Sequence, residues 1–87
     1  MLLKTLRDQI DAIDSELAVL LGKRIAIARQ IARIKKQKNL SILDSNREDE
    51  IKTKVKKLAI EYGISPMIIE EIFQLLLDYS KMEMESQ

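Results

Sequence analysis

The chain has 87 residues, 46% of them apolar and 33% charged, with a formal net charge of +1. That is the balance of one small folded domain, and it supplies no overall field to draw the chain to nucleic acid or to an anionic membrane. There is no Cys and no His, which excludes disulfides, thiolate chemistry and the commonest general base and metal ligand, and suits a reducing, cytoplasmic setting.

Leu3, Leu6, Ile10, Ile13, Leu17, Leu20, Ile27, Ile31 and Ile34 recur at alternating three- and four-residue steps. This is the heptad seam of a long helix that buries one stripe against partners. With no Pro and a single Gly at position 22, the pattern predicts one helix over residues 3–37. Apolar residues at 21, 25 and 28 widen the stripe. Such a helix is roughly 50 Å long, whereas a compact globule of this size has a radius of gyration of only about 12 Å. The helix therefore overhangs its own domain, and a second copy is the simplest cover. An obligate homodimer built on paired first helices is the expectation.

Met1-Leu2-Leu3-Lys4 runs straight into the amphipathic pattern, so no cleaved signal peptide is expected. No apolar run approaches the ~20 residues needed to span a bilayer. Asn39 to Leu43 breaks the first helix. Asp44-Ser45-Asn46 opens the second, with Ser45 and Glu48 at capping-box spacing. Ile51, Val55, Leu58 and Tyr62 recur at helical steps, and Gly63 is suited to terminate that helix. Ser65-Pro66 reads as N-cap and first helical residue of a third helix reaching about residue 84. The fold class is all-α: three helices, one long and two medium, in a single domain over residues 1–87.

One seam position is not apolar. The step between Leu20 and Ile27 falls on Arg24, and a guanidinium there costs several kcal/mol of desolvation unless it is paired. Either Arg24 finds carboxylates inside the protein or it meets a ligand that brings them. Lys35 lies eleven residues on, three turns, on nearly the same stripe. Two cations along an apolar face suit a dianionic small molecule. Arg7 lies about 100° round the helix from Arg24, so it serves a second chain's pocket more easily than its own. Solvated or snorkelling side chains are the plainer reading of Arg7 and Lys35.

Asp44, Arg47 and Glu48 share one face at the start of the second helix. One reading gives Arg47 to a ligand carboxylate and the acids to a ligand hydroxyl or neighbouring cation; the other makes them helix caps. Ser80 has no base to activate it, Gln74 reads as a satisfied amide, and the acids at 83 and 85 read as a solvated last turn. From Leu17 to Leu43 there are seven cations and no acid, but the seam interleaves them and no aromatic accompanies them, so nucleic acid is not implied. No metal cluster, phosphate-cradling loop, nucleophile–base pair or dinucleotide fingerprint is present. An enzyme with this inventory works by positioning and electrostatics.

Leu6-Arg7, Ile13-Asp14, Leu20-Leu21-x-x-Arg24, Ile34-Lys35, Asp44-x-x-Arg47-Glu48 and Phe73-Gln74 together resemble the all-helical chorismate mutases, over essentially the whole chain. The resemblance implies an intertwined dimer with three helices per chain, converting chorismate to prephenate by a Claisen rearrangement in aromatic amino acid biosynthesis, with no cofactor or metal. By that resemblance Arg24 and Arg47 bind substrate carboxylates and Arg7 reaches in from the partner subunit. Lys35 holds a carboxylate and the ether oxygen, Asp44 and Glu48 hold the ring hydroxyl, and Ser80 sits near a carboxylate. The family usually has Gln or Glu four residues after the serine, as a second donor to the ether oxygen; here that position is Met84. A thioether cannot donate, so either activity falls or Glu83 or Gln87 replaces the contact from an irregular last turn. Two alternatives stand beside the mutase: isochorismate–pyruvate lysis on the same scaffold, and a non-catalytic dimer that binds a carboxylated metabolite. The acids at 44 and 48 favour the mutase over the lyase.

Overall fold

The computed structural model describes residues 2–87; Met1, where the expectation about a signal peptide starts, lies outside them. Three helices follow one another: α1 (Leu2–Gln37), α2 (Ser45–Glu61) and α3 (Pro66–Glu85). The all-α expectation is borne out.

Local chemistry sets the helix ends. After α1, Asn39 adopts φ +54°, and the Leu40 N–H donates back to the Lys35 carbonyl at 2.8 Å. Asn tolerates that left-handed conformation better than most residues. After α2, Gly63 at φ +70° plays the same part, with the Ile64 N–H on the Ala59 carbonyl at 2.8 Å. Ser65 caps α3 by accepting from the Ile68 N–H at 3.3 Å, and Pro66 follows at its first position. At the start of α2 the helix-cap reading of Asp44 holds: it is the N-cap, accepting from the Arg47 N–H at 3.0 Å, and Ser45 is the first helical residue. Glu48 closes no capping box, because its carboxylate is engaged by α3 instead.

α3 packs against both α1 and α2, which do not pack on each other. The buried apolar residues are Ile25, Ala28 and Ala32 of α1, Val55 and Ala59 of α2, and Leu77 of α3. Three of the six are alanines, which lets the helix backbones approach closely. On α1 the buried stripe lies beside the seam rather than on it: Ile27, Ile31 and Ile34 stay about half exposed. On α2 it runs through Val55 and Ala59, leaving Leu58 and Tyr62 out in solvent.

Residues 2–23 of α1 are exposed throughout, and the molecule measures 57 × 24 × 15 Å with a radius of gyration of 16.1 Å. The overhang inferred from helix length is present. Polar contacts clasp the helices where they do meet. Arg29 donates from Nε and Nη2 to Glu83 Oε2 at 3.1 and 2.9 Å, and Arg33 Nη2 donates to Gln87 Oε1 at 3.2 Å. Glu83 is therefore an interhelical ion-pair partner, not a solvated end residue. Gln74 is satisfied within α3, its Nε2 donating to Asp78 at 2.9 Å. Among the described residues no helix is long and apolar enough to cross a membrane.

Candidate active site

The three helices enclose an open cavity of about 250 Å³. Ile27, Ala28 and Ile31 of α1, Ile42 of the connecting loop, Ile51 of α2 and Leu77 of α3 give it an apolar floor. Arg24, Lys35, Asp44, Arg47, Glu48, Ser80, Lys81 and Met84 complete the lining. Seven of the eight residues singled out in the sequence thus converge on one cavity. The eighth, Arg7, lies exposed on the overhanging half of α1 and does not line it.

Arg24 resolves its anomaly without a carboxylate. Its Nη1 donates to Ser80 Oγ at 2.6 Å, and it belongs to none of the ion pairs among the described residues. Ser80 is buried, and its own proton goes to the Leu76 carbonyl at 2.8 Å. The hydroxyl lone pairs are therefore turned to Arg24, which keeps its charge and most of its donors for the cavity.

Lys35, a fifth exposed, stands 3.5 Å from the Ile42 carbonyl and 3.9 Å from Asp44 Oδ2. Asp44 thus divides its oxygens between capping α2 and facing a cation. Arg47 lines the cavity, but its guanidinium bonds Glu50 at 3.3 Å with the side chain 63% exposed. A pair that exposed is worth about 0–1 kcal/mol, which leaves Arg47 available to a stronger anion.

Glu48 Oε1 accepts from Lys81 Nζ at 3.1 Å, both side chains about one-quarter exposed. Lys81 is the cavity residue that sequence reasoning passed over. The available signal was its position next to Ser80 and one turn before Met84 on the same helix. Met84 lines the cavity with a thioether. The last turn of α3 is regular to Glu85, so Glu83 and Gln87 stay turned to α1 and neither lines the cavity. Among the described residues no cluster of His, Cys, Asp or Glu is placed to hold a metal ion.

Four cations (Arg24, Lys35, Arg47 and Lys81) and two carboxylates (Asp44 and Glu48) face one another around the cavity, leaving a surplus of two positive charges. An apolar floor under such a ring suits a small dianion with an apolar body and a hydroxyl. Fold and site together define an all-helical protein with an apolar cavity ringed by more cations than carboxylates.

Residues 6–85 match the family described as chorismate mutase type II. The chorismate mutase of Methanocaldococcus jannaschii is 34% identical over 79 residues, which cover 91% of this chain and 80% of that protein. The bifunctional chorismate mutase/prephenate dehydratase of Aquifex aeolicus is 38% identical over 86 residues, 91% of this chain but only 24% of that longer protein. The T-protein of Enterobacter agglomerans is 32% identical over 75 residues, covering 86% of this chain and 20% of its own. The chain belongs to the type II chorismate mutase family. Its reaction is that of an isomerase, the conversion of chorismate to prephenate.

Proposed function

We propose that chorismate is rearranged in the cavity between the three helices, with Arg24, Lys35, Arg47 and Glu48 as the groups that act on it. In the Claisen rearrangement one ether C–O bond breaks while one C–C bond forms, with electron pairs moving round a six-membered ring. No proton or leaving group is transferred, so no general base or nucleophile is needed. The barrier lies in folding a flexible dianion into its reactive shape and in holding the negative charge that grows on the ether oxygen.

Arg24, pre-set by Ser80, takes one carboxylate. Arg47 takes the other after leaving Glu50. Lys35 bonds a carboxylate and the ether oxygen, and Asp44 and Glu48 accept from the ring hydroxyl. Arg7 of one subunit completes the partner's pocket. Two observations support pairing of two chains. Residues 2–23 leave their whole apolar seam uncovered. Among the described residues six apolar side chains are buried within one chain, a small core for a chain of this length.

The observation that carries the reading is Arg24, a cation on a helix seam beside an apolar cavity, with no carboxylate partner among the described residues. Following chorismate consumption and prephenate formation spectrophotometrically tests it, with isochorismate as a second arm. Prephenate from chorismate is expected. Pyruvate from isochorismate without prephenate from chorismate would make the chain a lyase, and binding of chorismate without turnover would make it a non-catalytic module.

A further inference from the structure

We propose that Lys81 is a ligand-contacting residue of this site, donating to the ligand's ether oxygen from the α3 wall while Lys35 approaches from α1. The proposal rests on the function proposed above. Lys81 lines the cavity, and Glu48 Oε1 at 3.1 Å holds its ammonium there rather than in bulk solvent. An ammonium carries three N–H donors. Among the described residues Glu48 is its one partner, which leaves two donors for whatever fills the cavity.

The rest of the α3 wall has no such capacity. Ser80 spends its proton on the Leu76 carbonyl, Leu77 is apolar, and Met84 has no donor. Glu83 and Gln87 are engaged with Arg29 and Arg33 on the far side. On the α1 wall, Lys35 already approaches the Ile42 carbonyl and Asp44. An ether oxygen lying between α1 and α3 would then be served from one side alone unless Lys81 turns to it. As the C–O bond breaks, a cation fixed at that oxygen gains attraction in the transition state over the ground state, which is the condition for raising kcat rather than only lowering KM.

The test is steady-state kinetics with chorismate on wild type, Lys81→Met, Lys81→Gln and the double variant Lys81→Met with Met84→Gln. Far-UV circular dichroism and melting verify folding; neither position is in the core. The expected result for Lys81→Met is a kcat loss on the order of 100-fold with KM changed by less than about fivefold. Lys81→Gln, which keeps a neutral donor, loses less. Adding Met84→Gln places an amide N–H in the same cavity and restores roughly 10-fold or more of the lost kcat. A Lys81→Met kcat within about threefold of wild type overturns the proposal, as does a loss confined to KM. A loss of kcat that Met84→Gln leaves untouched also overturns it, since Lys81 would then act through Glu48 and not on the ligand. Wild-type protein without chorismate turnover overturns the underlying function itself, a result read before any variant is compared.

Discussion

Arg24 on α1 and Ser80 on α3 meet across a 2.6 Å hydrogen bond, 56 residues apart in sequence. The bond orients a cation without neutralising it. A carboxylate at position 80 would pair with Arg24 and cancel its charge, whereas a hydroxyl whose proton is already given to Leu76 holds the guanidinium and leaves the charge free. The cost falls on stability, because the cation stands where the heptad calls for an apolar side chain.

Arg24→Leu is therefore expected to separate activity from folding. Turnover should fall by on the order of 10²–10³-fold or more, while the melting temperature stays level or rises, reflecting about 0–2 kcal/mol of gained stability. Chorismate kinetics beside a thermal melt measure both. A variant that unfolds would mark Arg24 as a structural partner instead.

The uncovered seam of α1 predicts a dimer, and sedimentation should show no folded monomer at micromolar concentration. Arg7 adds a sharper test. Arg7→Ala and Arg24→Ala homodimers should each be inactive. If Arg7 serves the partner's pocket, unfolding and refolding an equal mixture puts both defects in one site of each mixed dimer and leaves the other site intact. Half the dimers are mixed, so about a quarter of wild-type activity should return. No recovery would place Arg7 in its own chain's site, and an active Arg7→Ala homodimer would place it outside the site.

Ala32 and Ala59 are each 1% exposed, one on α1 and one on α2. Enlarging either to Leu forces apart helices that approach through these small residues, and should cost about 1–3 kcal/mol. Denaturant unfolding measures this. A neutral result would show that the helices have room to spare.

Gly63 sits at φ +70° with nothing within 4 Å of where a Cβ would stand. Gly63→Ala should therefore cost only backbone strain, about 1–2 kcal/mol. It should leave kcat and KM unchanged, because the turn does not line the cavity. A larger loss of stability would point to contacts beyond the conformation itself.

The sequence by itself determined whatever depends on near neighbours along the chain. Helix periodicity, the Ser65-Pro66 start and the Gly63 stop bound three helices to within a residue or so of Leu2–Gln37, Ser45–Glu61 and Pro66–Glu85. These signals are hydrogen bonds and side-chain spacings only a few residues long. Arg24 and Lys35 could be set on one stripe for the same reason, since a straight helix fixes their relation. The azimuth at which α3 packs on α1 and α2 decided the rest. It buries Ile25, Ala28 and Ala32 beside the seam, draws Glu48 from its own helix cap to Lys81, and ties Glu83 to Arg29. Each of the two interhelical pairings joins residues more than 30 positions apart, and a charge finds such a partner only once the helices have taken their rotation.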